Sequence, residues 1–216
     1  MPYGPDGTYW CSRPESRGSE HVFVDDRASD LDVVISLLNT YDAYDSEPER
    51  LTGVESLKRL FVTLSWTDVA TSRLTQRDVS VVKALREEVR GIFAELAEGN
   101  AAAAAQACNE LLSRVRPQLA LHPLSQRTVL GVAESGSNAV RRLEDRVSVA
   151  VAIGLASPGI RLGLCDAHPC RCAYVDRSRA GSRRFCCELC ADRFAAAAYR
   201  RRRKGDGQLD ESSKAQ

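Results

Sequence analysis

The sequence contains few aromatic residues and few histidines. Trp, Tyr and Phe together make up 6% of its 216 residues. The three histidines, His21, His122 and His168, lie in separate segments, and none belongs to a metalloprotease or hydrolase motif. No phosphate-binding loop followed by its lysine occurs either. We therefore expect no enzymatic activity.

Long apolar runs are also missing. The longest, residues 147–156, is interrupted by Ser148 and Gly154, and it is far shorter than the roughly 20 residues needed to cross a bilayer. The first 20 residues lack the apolar core of a signal peptide. Hydrophobic residues make up 44% of the chain and charged residues 27%, which is ordinary for a globular protein. We expect a cytoplasmic protein without membrane segments.

Cysteines, in contrast, are clustered. Six of the eight lie between Cys165 and Cys190. Cys165 and Cys170 form one short pair, Cys186 and Cys190 form another, and 15 residues connect the two pairs. Two short pairs can supply the four thiolates of a tetrahedral zinc site, and four protein ligands leave no position for water or substrate. The spacing therefore predicts one structural Zn²⁺.

The doubled cysteine leaves the third ligand open between Cys186 and Cys187, of which we favour Cys186. Cys172 could replace a ligand, as could the imidazole of His168, and an iron–sulfur cluster is the alternative metal group. With Cys186 as the third ligand, Cys172 and Cys187 are surplus to the zinc site, and redox sensing is a further hypothesis: oxidation of these cysteines could expel the metal and unfold the finger.

Positive charge is concentrated in the same region. The whole chain has a net charge of +1, yet residues 161–204 contain 12 Lys or Arg against 4 Asp or Glu. Residues 1–160 contain 17 basic and 22 acidic residues. A basic segment after an acidic one is typical of a nucleic-acid-binding unit attached to another domain.

The end of this segment favours a helix, because four consecutive alanines precede a basic run. We expect this helix to extend from Cys190 to Arg203. The candidate phosphate contacts are Arg177, Arg179, Arg183, Arg184, Arg193, Arg200, Arg201, Arg202, Arg203 and Lys204. Arg193 is also a candidate for contacting bases, since it lies in the first turn of the expected helix.

The segment as a whole resembles the CGNR zinc finger. The resemblance rests on the spacing of the cysteine pairs together with Tyr174, Asp176, Ser178, Gly181, Arg183-Arg184-Phe185 and Cys190-Ala191-Asp192-Arg193. The Cys-Gly-Asn-Arg signature is changed here to Cys-Ala-Asp-Arg, Phe185 replaces the usual Trp, and the second cysteine pair is one residue tighter. That family joins the finger to an N-terminal helical domain called ABATE, and the resemblance implies a stress-induced bacterial transcription regulator.

Hydrophobic periodicity in the remainder indicates a helical domain. Helices are predicted over residues 28–41, 54–66, 75–99, 101–115 and 137–155. A small β-hairpin is predicted from residues 119–121 and 128–132, with a turn around His122 and Pro123. Leu38-Asn39-Thr40 matches an element near the start of ABATE domains. Asn39 is a candidate for lining a pocket, although a polar residue near a helix end more often bonds backbone.

The predicted fold is thus mainly α: a helical domain with a small hairpin, followed by a zinc finger of short strands and one helix. We assign residues 1–20 to a disordered segment, 21–160 to the ABATE-like domain, 161–204 to the finger and 205–216 to a disordered tail.

The predicted function is a zinc-dependent, DNA-binding transcriptional regulator. Its N-terminal domain is expected to sense a small-molecule ligand or stress signal, or to form a homodimer. The alternatives are a zinc-finger adaptor that binds a protein partner, and an RNA-binding factor.

Overall fold

The computed structural model describes residues 26–64, 73–124, 127–133 and 138–212. Within these ranges the chain is mainly helical, as predicted. The helices are α1 (Asp26–Leu38), α2 (Val54–Thr63), α3 (Gln76–Ala97), α4 (Ala101–Val115), α5 (Ala139–Ala156) and α6 (Glu188–Ser212). The strands are β1 (Leu119–Leu124), β2 (Arg127–Val132), β3 (Arg161–Leu164) and β4 (Ala173–Asp176). The predicted disordered segment 1–20 lies outside the described residues, as does Trp66.

Local sequence signals explain where the helices begin and end. α3 begins at the predicted capping box, in which the Thr75 amide donates to Asp78 Oδ2 at 2.7 Å and the Asp78 amide donates to Thr75 Oγ1 at 3.3 Å. Its end is followed by Gly99, whose φ of +80° suits glycine. α5 is capped by Asn138, whose Oδ1 accepts from the amides of residues 140 and 141. Ser137, predicted to start that helix, lies outside the described residues.

The first hairpin forms where predicted, but its turn is placed differently. β1 and β2 pair antiparallel, with His122 opposite Val129 and Pro123 opposite Thr128. His122 and Pro123 therefore belong to β1 and not to the turn, which corrects the sequence prediction. A proline is compatible with this position because a two-stranded hairpin has only edge strands, where a missing amide need not interrupt a ladder.

One hydrophobic core joins all the helices except α6. Its largest fully buried side chains include Phe61, Phe93, Leu57, Ile92 and Leu143. They come from helical positions that repeat with the predicted spacing, so the amphipathic faces meet as expected. None of the helices in the described part of the chain is both long and apolar enough to cross a lipid bilayer.

The second hairpin belongs to this core as well. β3 and β4 pair antiparallel, and Leu162, Leu164 and Val175 are buried in the same cluster as the helices. Gly154 of α5 allows this packing, since a Cβ there would lie 3.2 Å from Leu162 Cδ1 and 3.0 Å from Leu31 Cδ2. The finger therefore draws part of its apolar burial from the helical domain, which its own short sequence does not suggest.

The last helix is longer than predicted. α6 begins at Glu188, two residues before Cys190, and continues to Ser212. It thus includes residues 205–212, which the sequence analysis assigned to a disordered tail. At about 1.5 Å per residue, its 25 residues span roughly 37 Å.

Candidate metal centre and basic helix

Four buried cysteines form a cluster between β3 and α6. The Sγ atoms of Cys165, Cys170, Cys186 and Cys190 all lie within 4.8 Å of one another. Cys165 directly follows β3, and Cys190 lies in the first turn of α6. The ligands predicted from spacing are thus the ones that the fold brings together, with Cys186 as the third.

The distances fit a tetrahedral zinc ion. Sγ of Cys186 lies 3.7 Å from Sγ of Cys170 and 3.5 Å from Sγ of Cys190. Zn–S bonds of about 2.3 Å give tetrahedral edges of roughly 3.8 Å. All four side chains are at most 4% exposed. These four residues constitute the zinc site of the finger. A site in which all four ligands come from the protein is structural, so binding of the metal would stabilise the folded finger.

The electrostatics of the cluster also favour a cation. Hydrogen bonds from the thiols of Cys165, Cys172 and Cys186 lower the pKa of Cys170 and stabilise its thiolate. Burial has the opposite effect on Cys190 and raises its pKa. A thiolate at Cys190 therefore depends on nearby positive charge, which Zn²⁺ would supply.

The alternative ligands lie around this cluster. Cys187 is partly buried, and its Sγ lies 3.8 Å from that of Cys186. Cys172 is buried and forms a second close group with Cys170 and Asp42. His168 is exposed and belongs to neither group.

The connector between the cysteine pairs is held by the residues that carry the family resemblance. Asp176 accepts the amides of Ser178 at 2.9 Å and Arg183 at 3.0 Å, and the Ser178 interaction holds the pKa of Asp176 below its usual value. The Tyr174 hydroxyl donates to the Arg183 carbonyl at 2.7 Å. Gly181 adopts a φ of +51°, in the left-handed region that favours glycine.

Two of the arginines predicted to contact DNA, Arg183 and Arg193, form hydrogen bonds within the finger. Arg183 donates to the carbonyls of Val175 at 3.2 Å, Phe185 at 3.0 Å and Cys186 at 2.5 Å. Arg193 donates to Sγ of Cys190 at 2.7 Å. Both guanidinium groups therefore form hydrogen bonds next to the metal centre.

Two further arginines are both paired and exposed. Arg184 lies 2.8 Å from Asp166, and its guanidinium stacks near the rings of Phe185 and Phe194. Arg177 lies 3.5 Å from Asp32 of α1. Arg179 is exposed in the connector.

The arginines of α6 are arranged differently. Residues 199–203 are all exposed, and successive helical residues advance by about 100°. Five consecutive exposed positions surround the helix, so this turn of α6 is accessible to solvent on every side. The four arginines at positions 200–203 form a ring of positive charge. Lys204 is the next residue of the helix.

The helical domain contributes residues to the finger that sequence reasoning missed. Tyr44, Asp42 and Arg90 all contact it, and Asn39 bonds the backbone of Ala173. The backbone-bonding role considered for Asn39 is confirmed, although the partner lies in the other domain. The sequence does contain one signal for these contacts. Arg86 and Arg90 lie on the apolar face of α3, and a charged residue on a buried face requires a polar partner from elsewhere in the fold.

A helical domain followed by a four-cysteine zinc site defines the class of zinc-finger proteins with an additional N-terminal domain. Comparison with known families agrees. A family model described as "ABATE: Putative stress-induced transcription regulator" matches residues 31–158, and the CGNR zinc finger model matches residues 161–203. The chain belongs to the ABATE family and carries a CGNR zinc finger. A search of curated proteins finds no match.

Proposed function

We propose that this protein is a zinc-dependent DNA-binding transcriptional regulator whose α6 contacts the DNA backbone. The observation that carries the proposal is the exposed ring of arginines at positions 200–203, on a helix whose first turn supplies a zinc ligand. A helix charged on all sides suits a DNA groove, where phosphates flank it on both sides. Zinc would orient α6, and the arginines would contact the phosphates.

The contacts of the other arginines narrow the proposed interface. Arg183 and Arg193 are engaged around the metal centre, so we assign them to the stability of the finger. The remaining candidates are Arg177, Arg179, Arg184, residues 200–203 and Lys204. Arg177 and Arg184 would have to exchange an exposed ion pair for a phosphate, which costs little because exposed pairs contribute at most about 1 kcal/mol.

The test is a salt titration of binding to mixed duplex DNA, using full-length protein of measured zinc content. Each phosphate contact should contribute a slope of about −0.9 in log K against log salt. Replacing residues 201–203 by Gln should therefore reduce the slope by roughly 2.7 in magnitude. The matched control replaces the exposed Arg59, Arg73 and Arg77 of the helical domain by Gln, which changes the net charge equally. Equal slopes for the two triple variants would refute the proposed contact.

Zinc dependence is tested in the same assay. Chelation should abolish binding, and re-addition of Zn²⁺ should restore it. A zinc-loaded protein that binds no DNA at any salt concentration would contradict the proposal and favour the alternative of a protein partner.

RNA binding is the weaker alternative. Single-stranded RNA is usually bound by stacking its bases on aromatic rings, but Tyr174, Phe185 and Phe194 pack against the cysteine cluster. Tyr199, which is 61% exposed, is the other aromatic residue of the finger. Preferential binding of single-stranded RNA over duplex DNA would favour this alternative.

We further propose that the helical domain receives the signal, as a ligand site or a dimer interface. Thermal-shift screening of the full-length protein against metabolite pools would reveal a stabilising ligand, and sedimentation would reveal a dimer. A monomer stabilised by no pool would contradict both forms of the proposal.

A further inference from the structure

Arg193 lies between the metal centre and the helical domain. Its Nη2 donates to Sγ of the zinc ligand Cys190 at 2.7 Å. The same guanidinium stacks over the ring of Tyr44, 3.6 Å from the ring centroid. Tyr44 belongs to the segment between α1 and α2, so a single side chain joins a zinc ligand to the other domain.

The segment that carries Tyr44 is itself well held. Tyr41 and Glu49 form a β-bridge, and the Asp42 amide donates to the Pro48 carbonyl at 2.9 Å. Arg86 of α3 donates to both carboxylate oxygens of Glu49, at 2.9 and 2.8 Å. We call residues 40–50 the junction loop. Because its base is tied to α3, the position of Tyr44 follows the packing of the helical domain.

The same region contacts the first cysteine pair. Nη1 of Arg90 donates to the Arg171 carbonyl at 3.1 Å, next to Cys170. A carboxylate oxygen of Asp42 lies within 4.8 Å of Sγ of Cys170. Both cysteine pairs of the zinc site therefore lie against the helical domain.

We propose that Arg193 is a positioning residue of the zinc centre, and that its stacking on Tyr44 makes retention of the metal depend on the junction loop. Four thiolates around Zn²⁺ leave two negative charges, and a donated hydrogen bond from Arg193 offsets part of that charge. The Tyr44 ring holds the guanidinium against the sulfur through its π face. A displacement of the junction loop would release Arg193 and weaken the site. This role differs from DNA contact and does not depend on DNA binding.

The test measures the rate of zinc release from full-length protein to an excess of a chromogenic chelator. Outer hydrogen bonds to metal ligands typically change affinity by about 10–100-fold, so Arg193→Gln should accelerate release by at least about tenfold. Tyr44→Ala should accelerate it several-fold. Tyr44→Phe keeps the ring but loses the hydroxyl that also bonds Arg193, so it should accelerate release less than Tyr44→Ala does. The matched control is Tyr199→Ala, which removes an exposed tyrosine from α6.

A double variant tests whether the two residues act together. If Tyr44 acts through Arg193, adding Tyr44→Ala to Arg193→Gln should cause no further acceleration. Tyr44 is 49% exposed, so its truncation should leave the fold intact, which far-ultraviolet circular dichroism would check. Wild-type rates of zinc release in both Arg193→Gln and Tyr44→Ala would overturn the proposal.

The salt dependence of DNA binding separates this role from a phosphate contact. Zinc-loaded Arg193→Gln should retain the wild-type slope. A slope reduced by about 0.9 with an unchanged zinc-release rate would make Arg193 a phosphate contact and overturn the proposal. The release assay requires no DNA, so its outcome stands even if the protein binds none.

Discussion

The side-chain amide of Asn39 forms two hydrogen bonds with the backbone of Ala173. Its Nδ2 donates to the Ala173 carbonyl at 3.1 Å, and its Oδ1 accepts the Ala173 amide at 2.8 Å. Asn39 directly follows α1, and Ala173 begins β4. The amide thus bonds the free edge of the finger hairpin as a neighbouring strand would, and it fastens the finger to the helical domain.

Replacing Asn39 by Ala should destabilise the protein by about 1–3 kcal/mol, because a part-buried amide and carbonyl of Ala173 lose their partners. Asn39→Asp should also destabilise it, since a carboxylate cannot donate to the carbonyl. Urea denaturation of the zinc-loaded protein measures the effect. The control is Asn109→Ala on the exposed face of α4, which should change the stability by less than about 0.5 kcal/mol. Equal losses of stability in Asn39→Ala and Asn109→Ala would contradict the proposed role of Asn39 in fastening the finger to the helical domain.

Gly154 should tolerate larger side chains poorly. A Cβ there would lie 3.0 Å from Leu31 and 3.2 Å from Leu162, so Gly154→Val should force the finger hairpin away from α5 at a cost of about 1–3 kcal/mol. Gly91 is the matched control in α3, where an added Cβ meets nothing within 4 Å. Gly91→Ala should stabilise the protein by roughly 0.5–1 kcal/mol. Thermal denaturation of Gly154→Val and Gly91→Ala measures both effects. A Gly154→Val variant as stable as wild type would show that the β3–β4 hairpin does not pack closely against α5 at this position.

The ion pair between Arg86 and Glu49 should give a pH-dependent part of the stability. Burial alone would raise the pKa of Glu49, but the hydrogen bonds and charge of Arg86 and the Leu51 amide lower it from 4.5 to about 2. The contribution is therefore complete above pH 4.5 and is lost as the pH falls towards 2. Glu49→Gln should cost about 2–3 kcal/mol at pH 7, because the buried Arg86 loses its bidentate carboxylate partner and keeps the exposed Glu87 and the hydroxyl of Thr40.

The measurement is the difference in unfolding free energy between wild type and Glu49→Gln from pH 7 to pH 3. Both proteins lose zinc as the thiolates become protonated at low pH. This loss therefore cancels in the difference between their unfolding free energies, which reports the contribution of the Glu49 carboxylate. It should shrink as the pH falls below 4.5. Glu55→Gln serves as a control, because the ion pair that Glu55 forms with Lys58 is exposed. A difference that does not vary with pH would contradict the assigned role of Glu49.

The two adjacent cysteines should differ in their effect on zinc. Cys186 lies in the four-sulfur cluster, whereas Cys187 lies beside it. Cys186→Ser should abolish or greatly weaken metal binding and unfold the finger, because the metal supplies on the order of 10–16 kcal/mol. Cys187→Ser should retain one zinc per chain, as measured by atomic absorption on purified protein. The reverse result would make Cys187 the third ligand.

Much of the fold could be predicted because its signals are local. Hydrophobic spacing identified the helices, and Thr75 with Asp78 identified the start of α3. The turn of the first hairpin was misplaced because His122 and Pro123 resemble a turn, whereas cross-strand pairing places both in a strand. α6 continues to Ser212, beyond the predicted end at Arg203, because the basic run does not stop the helix.

The metal site was predictable for the same reason. The ligands come in two short pairs, so residue spacing alone brings each pair together, and the zinc chemistry follows from the thiolates. The roles of the arginines were not predictable to the same degree. Arg183, Arg193 and Arg200 are all basic residues of one segment, yet only the fold directs the first two towards carbonyls and a zinc ligand and leaves the third exposed.

The sequence by itself determined the helical periodicity, the two cysteine pairs with their zinc chemistry and the concentration of positive charge after residue 160. The tertiary structure alone decided that the finger shares the core of the helical domain and that Arg193 lies between Cys190 and Tyr44. The physical reason is distance along the chain. The two cysteines of each pair and the residues of each helix cap interact over a few residues, whereas Asn39 and Ala173 are 134 positions apart and meet only when the whole chain has folded.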